Sequence, residues 1–351
     1  MDNNRIIKNA NALNEDYLPD EILHREKEIN ELKLGIKAFV DYSFPQNFFI
    51  YGSTGVGKSL CARKICKQLE EETKNIDSIY INCWEAHTRM GVLNIIADKL
   101  KLVLPRRGIA VDELYQRIVN NLNSTNKKLL IVLDEADRLI YSKYSKDSVL
   151  YDLVRMKKNH IMLILISNDE QMPYYIDSRI KSSLSLKFIQ FKEYNVQQMI
   201  DILVERAKLA FHIKSYDDEA IRLAAAIAGK KGDARLGISI LREAALIAEN
   251  IEKKKLDVEC IYSAKEKLFE LKKRNYDEIE KRIIECIKNS ENKQLTSGEL
   301  YEKLKDVNDR TLRNKLENLV NTNVLIKEPI KINRGNSSLF KLNEKFFFDE
   351  K

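Results

Sequence analysis

The stretch Gly52-Ser53-Thr54-Gly55-Val56-Gly57-Lys58-Ser59 constrains this chain more than any other. It fits G-x-x-x-x-G-K-[ST] at every position. The apolar run FFIY precedes it, and a helical pattern follows in which Ile65 and Leu69 continue one face at spacing four. That order is strand, glycine-rich turn, helix. Such a turn lets backbone N–H groups curl around phosphate oxygens, and the helix adds its positive N-terminal end. Glycine is only 11 of 351 residues, so a chance match has odds on the order of one in a hundred or less. Lys58 is expected to pair with β- and γ-phosphates and Ser59 to offer its hydroxyl to Mg²⁺. ATP or ADP with Mg²⁺ is therefore the expected ligand.

A phosphate-binding turn of this kind needs a parallel sheet behind it. Continuous apolar runs at 129–133 and 161–166 suit central strands covered on both faces, and 78–83 is a further short strand candidate. Amphipathic patterns at 91–100, 111–122 and 148–157 lie between the runs. Alternating strands and helices give an α/β, doubly wound first domain. After about Phe191 the strand signal stops, and 196–210, 217–228, 234–250 and 258–273 are helical in period. A third segment from about Tyr276 has helix patterns at 277–289, 297–305 and 309–321, then strand-like 324–332 and 338–342 around Asn333-Arg334-Gly335-Asn336. Three helices and a hairpin are the pattern of a winged helix. The expected domains are thus 1–190, 191–274 and 275–351.

The strand at 129–133 ends in Asp134-Glu135. An acid at the carboxyl end of a parallel strand faces the ligand crevice. Asp134 is expected to hold Mg²⁺ through water and Glu135 to polarise the attacking water. The run at 161–166 leads to Ser167-Asn168, where Asn168 can reach the γ-phosphate or that water, or can be an ordinary turn residue. Arg179 and Arg235 have the side chain suited to a bidentate grip on phosphate. Each, taken alone, reads as a solvated surface charge in preference to a phosphate ligand.

Five scattered cysteines with no C-x-x-C argue against a disulfide framework or a structural zinc site and for a reducing compartment. The N-terminus shows no apolar stretch like a signal peptide, and the longest apolar runs are too short to cross a bilayer. The expectation is a soluble, cytoplasmic protein without a membrane partner.

Taken together, these residues make the chain resemble an AAA+ ATPase. More narrowly, it resembles the archaeal DNA replication initiators, relatives of the origin recognition complex and of the cell-division-control helicase loaders. Tyr17-Leu18-Pro19 through His24-Arg25-Glu26 is similar to that family's N-terminal box, which implies that Leu18, His24 and Arg25 lie at the adenine. The stretch from Asn82 to Tyr115, with Pro105-Arg106-Arg107-Gly108 inside it, resembles the initiator-specific insertion, here placed near 83–108. Ser167-Asn168-Asp169 is similar to sensor 1, the segment from Asp177 to Leu184 to the arginine-finger segment, and Gly232-Asp233-Ala234-Arg235 to the start of the sensor-2 helix. The resemblance implies a RecA-like base, a helical lid and a C-terminal winged helix. It also implies slow ATP hydrolysis used as a switch, double-stranded origin DNA as partner, and further partners in the replicative helicase and other initiator protomers. Arg235 would sense nucleotide in its own subunit, and Arg179 would reach a neighbour's. The connection between the helices at 297–305 and 309–321 is shorter than the family usually has, and the wing tip carries fewer Arg and Gly.

The net charge is +7, with 60 Lys and Arg against 53 Asp and Glu. This permits a polyanion partner without requiring one. Residues 276–351 carry 15 cations and 14 anions, so a winged helix that docks protein stays open as a reading. The charges cluster, however. Residues 326–345 hold five cations and two anions, as do residues 83–108. The DNA-binding candidates are Arg106 and Arg107 on the insertion, and Arg310, Arg313, Lys331 and Arg334 on the third segment, where Lys315 also sits early on the recognition helix. Trp84, the single tryptophan, reads as a buried anchor in preference to a base-stacking group. Two rivals remain. An AAA+ motor would need an aromatic-hydrophobic-Gly loop, and the nearest candidate, Arg89-Met90-Gly91, lacks the aromatic. An AAA+ and winged-helix signalling ATPase that regulates transcription explains everything except the insertion.

Overall fold

Strands rich in β-branched and aromatic residues form a parallel sheet whose two faces are both covered. The computed structural model describes residues 5–73, 76–105, 108–125, 127–141, 148–156, 160–274, 276–290, 294–321, 324–332 and 335–342. The chain divides into two compact units, Met1–Ala264 and Lys265–Lys351. The first runs α1 (Glu26–Tyr42), β1 (Phe48–Tyr51), α2 (Lys58–Glu72), β2 (Ile76–Asn82), α3 (Arg89–Lys99), α4 (Val111–Thr125), β3 (Lys128–Asp134), α5 (Asp137–Tyr141), α6 (Ser148–Arg155), β4 (Ile161–Ser167), α7 (Ser178–Leu184) and β5 (Lys187–Gln190). Helices α8 (Val196–Ala210), α9 (Asp218–Gly229), α10 (Ala234–Asn250) and α11 (Val258–Arg274) follow, and α11 leads into the second unit.

The sheet order is β2-β3-β4-β1-β5, all parallel. Phe49, Ile131, Leu133, Leu163 and Leu165 point to one face, under α3, α4, α6 and α7. Phe48, Ile50, Leu130, Val132, Ile164 and Ile166 point to the other, under α1 and α2. Because alternate residues of a strand face opposite sides, burial on both sides requires the unbroken apolar runs seen in the sequence. The register pairs Tyr51 with Ser167 and Asn82 with Asp134. The carboxyl ends of β1 to β4 therefore share one edge, where the site forms.

Two elements of the base escaped the periodicity. In β5 only Ile189 is buried, so this edge strand shows no apolar run. Helix α1 buries Leu32, Ile36 and Phe39 and contains Gly35 mid-helix. A Cβ at Gly35 would lie 2.6 Å from the Phe48 ring, so close packing on β1 requires the glycine.

Helices α8 to α10 pack through small side chains. Ala207, Ala224, Ala228, Ala244 and Ala248 are fully buried, and a Cβ on Gly237 would stand 2.9 Å from Leu203. Along this bundle runs the N-terminal segment. Ile6 and Ile7 donate their backbone N–H groups to Glu249, and Arg206 donates to the Ala12 carbonyl. Ile6, Ala12 and Leu13 are buried beneath it.

The second unit holds α12 (Glu278–Lys288), β6 (Gln294–Thr296), α13 (Ser297–Lys303), α14 (Asp309–Asn321), β7 (Leu325–Ile332) and β8 (Gly335–Leu342). Its antiparallel sheet has the order β6-β8-β7. Ile283, Ile287, Leu300, Leu312, Leu316 and Phe340 form its own core. The arrangement is that of a winged helix. The β7–β8 pairing reaches Ile332 opposite Gly335, so the hairpin strands close earlier than the four-residue loop 333–336 expected from sequence. β6, three residues long, is too short to show a period. Among the described residues, no helix is long and apolar enough to cross a membrane.

Candidate functional site

The glycine-rich turn leaves β1 with backbone angles that only glycine adopts freely. Gly52, Gly55 and Gly57 have φ of 149°, 78° and 92°. A Cβ on Gly52 would lie 2.2 Å from the Phe191 carbonyl oxygen, and one on Gly55 only 1.8 Å from Asp233 Oδ1. The Ala234 N–H donates to the Gly55 carbonyl, so the start of α10 rests on the turn. Helix α2 begins at Lys58. The Lys58 ammonium is buried and donates to the carbonyls of Gly52 (2.7 Å) and Ser53 (2.7 Å) and to Asn168 Oδ1 (2.8 Å). Burial lowers its pKa to about 8, against the opposing pull of Glu135 and Asp134.

Asp134 ends β3 buried, with Tyr80 donating its hydroxyl to Oδ2 and the Glu135 N–H donating to Oδ1. Glu135 has φ of 54°, an uncommon left-handed conformation that turns its carboxylate towards β4. Asn168 Nδ2 donates to both Glu135 oxygens at 3.3 and 3.2 Å. One amide thus bridges Lys58 and Glu135. Burial raises the Glu135 pKa, and the charges of Asp134 and Asp137 add to that rise.

These groups open on a cleft with a cavity volume of about 110 Å³. Its polar end is built from residues 54–59, Glu135, Asn168 and Arg235. Its apolar end has Pro19, Ile22 and Leu23 from the N-terminal segment, Ile202 and Leu209 from α8, and Ile238 from α10. Tyr194, Arg206, Ile202, Leu209 and Ile238 escaped the sequence reading. The signal was available in the spacing of 202, 206 and 209, which puts all three on one face of α8.

Several expected site residues stand elsewhere. Gly52, Ser53 and Asp134 lie behind the lining and support it. Leu18, His24 and Arg25 are not on the cleft wall; Pro19, Ile22 and Leu23 are. His24 Nε2 is 2.8 Å from Asp201 Oδ2 on α8. Arg25 is buried against backbone carbonyls. Both are pulled off the cleft by polar partners that the sequence does not reveal. Arg179 is also absent from the cleft. Its side chain is 91 % exposed, with Asp177 at its own helix start 3.5 Å away.

Of the nucleic-acid candidates, Arg106, Arg107 and Arg334 lie outside the described residues. Lys331 falls on β7 opposite Asn336. Arg310 and Arg313 are exposed on α14, off the face that buries Leu312, Leu316 and Leu319, with Arg313 3.7 Å from Glu317. Lys315 is instead bound by Asp277 and Glu280 of α12. Arg89 is likewise paired with Asp112 and Asp152, and Lys99 with Glu70, which leaves the first basic patch weaker than its composition. Trp84 is not the buried anchor expected. It is 56 % exposed, and the Arg138 guanidinium lies 3.3 Å from its ring centre. The apolar helices α3 and α4 fill the core there without it.

Residues 44–170 match the AAA domain family, and residues 200–266 match the Cdc6 AAA+ ATPase-type lid domain. The ORC1-type DNA replication protein 1 of Sulfurisphaera tokodaii is 36 % identical over 271 residues, which are 76 % of this chain and 68 % of that protein. The solved structure of the Aeropyrum pernix ORC1 protein in complex with DNA matches with a TM-score of 0.80 at 28 % identity, covering 96 % of this chain and 94 % of that one. The Aeropyrum pernix ORC2 protein, solved with ADPNP and ADP, has the same fold at a TM-score of 0.67 and 20 % identity. With its AAA domain, its Cdc6-type lid and this degree of identity, the chain belongs to the family of ORC1-type DNA replication proteins.

Proposed function

We propose that this protein recognises double-stranded origin DNA and initiates replication there, with ATP bound between base and lid as its switch and the replicative helicase as its downstream partner. The observation that carries the nucleotide part is the cleft itself. Its wall combines a phosphate-binding turn backed by Glu135 and Asn168 with the apolar side chains of Pro19, Ile22, Leu23, Ile202, Leu209 and Ile238. The DNA part draws on the DNA-bound ORC1 relative and on the exposed arginines of α14.

The residues fit Mg²⁺ as well as nucleotide. Ser59 opens onto the cleft and Asp134 stands at the end of β3, a hydroxyl and carboxylate set of the hard-oxygen type that Mg²⁺ takes. When bound, the ion would neutralise charge on the phosphates. Lys58 exchanges its carbonyl partners for phosphate oxygens. Asn168 then holds the terminal phosphate, and Glu135, released from that amide, orients water in line with it. Arg235 opens α10 with Asp233 accepting from its backbone N–H, so its guanidinium comes to the phosphates from the lid. Arg179 is left for a neighbouring protomer. Turnover is expected below about one per second, as suits a switch and not a motor.

Genome-wide mapping of bound sites tests the reading. Peaks at replication origins that weaken in a folded Lys58→Ala protein are expected. Peaks at promoters would favour a transcription regulator.

A further inference from the structure

Arg25 is the most thoroughly held side chain near the cleft that the mechanism does not use. It is 4 % exposed. Nε donates to the Val56 carbonyl (3.0 Å) and to the Tyr194 hydroxyl (3.1 Å). Nη2 donates to the Lys192 carbonyl at 2.6 Å, and Nη1 to Glu28 at 3.0 Å. The guanidinium also stacks over the Tyr194 ring at 4.1 Å and lies 5.1 Å from that of Phe191. Val56 is the middle residue between the two left-handed glycines of the phosphate turn. Residues 191–195 are the whole linker between β5 and α8. A capping box at Asn195 and Gln198 makes α8 stiff from its first turn. Arg25 therefore ties the phosphate turn to the root of the lid helix that lines the apolar end of the cleft.

We propose that Arg25 is a positioning residue and not a nucleotide contact. It transmits the seating of phosphates in the turn to the linker at 191–195 and so sets how firmly α8 is held over the base. This rests on the nucleotide reading given above and adds to it a second link between turn and lid. The first runs from Gly55 to the start of α10; Arg25 supplies the one to α8. The role needs arginine. A planar fork reaches two carbonyls and a hydroxyl at once, whereas a lysine ammonium serves one point.

The test is amide hydrogen exchange on the full chain, with no nucleotide, with saturating ADP and with a saturating non-hydrolysable ATP analogue. Saturation removes affinity from the comparison. In the wild type, nucleotide should slow exchange at residues 52–60 and at 192–199, the latter by about tenfold. In Arg25→Lys, residues 52–60 should still slow on adding ADP, while the nucleotide-dependent slowing at 192–199 disappears. A wild-type response at 192–199 overturns the proposal. So does a folded Arg25→Lys protein that ADP cannot saturate, because Arg25 would then be a contact. If Arg25→Lys does not fold, Tyr194→Phe decides, since it removes one acceptor and keeps the ring. A reduced response at 192–199 supports the link, and an unchanged one refutes it. Absence of slowing at 52–60 in the wild type is a distinct result. It removes the nucleotide reading and this proposal with it.

Discussion

Lys58 is a buried cation held by two carbonyls and an amide, with its pKa lowered to about 8. Phosphate oxygens favour the charged form, so nucleotide should raise that pKa again. Between the free and bound values the protein then takes up a proton on binding, and affinity falls as pH rises through 8. Calorimetry in buffers of different ionisation enthalpy should show this uptake, and Lys58→Ala should abolish it. Glu135 is a different kind of residue, a carboxylate raised by burial and held by Asn168. Glu135→Gln keeps the shape and removes the charge proposed to orient water. Turnover should fall by roughly 100-fold or more while ATP affinity stays, and single-turnover hydrolysis beside equilibrium binding separates the two. The types of both residues were legible in the motif. Their shared partner Asn168 was legible only as a candidate, because 110 residues separate it from Lys58.

At the scale of elements, the phosphate turn and α10 are one device. Asp233 accepts from the N–H groups of Arg235 and Leu236, capping α10, and its carboxylate fills the space where a Gly55 side chain would stand. Gly55→Ala should therefore displace α10 and strain a φ of 78°. We expect a loss of about 1–3 kcal/mol in stability and a larger loss of nucleotide affinity, read by chemical denaturation and by titration. Asp233→Ala should cost about 1 kcal/mol through the cap alone. Several elements with long amphipathic periods were legible to the residue, as α8, α10 and α14 show, whereas α1, as long as α10, was not. β5 and β6 were not. An exposed edge strand and a three-residue strand owe their existence to a neighbour's backbone, which leaves no pattern in their own side chains.

Across the whole molecule, a modest charge of +7 has to be judged by which cations are free to meet a phosphate. Lys315, Arg89 and Lys99 are held in ion pairs, while Arg310 and Arg313 stand exposed on α14, Arg313 in a surface pair with Glu317 at 3.7 Å. Arg310→Ala with Arg313→Ala should weaken binding to duplex DNA and lower the slope of log affinity against log salt by about two. Fluorescence anisotropy over a salt series measures it. An unchanged slope would place the phosphate contacts elsewhere on the chain.

The sequence by itself determined the residue types of the proposed nucleotide site and the order of the parts. A phosphate-binding turn needs its residues contiguous, and a doubly wound sheet needs its strands apolar on both faces, so both leave local signatures. Tertiary structure alone decided which distant side chains face the cleft. It drew Arg25 and His24 away to carbonyls and to Asp201, and it brought in Ile202, Arg206 and Ile238 from the lid. It also left Trp84 in the open beneath an arginine. Those outcomes depend on which partner satisfies a polar group once the chain has folded, a competition between residues far apart in sequence.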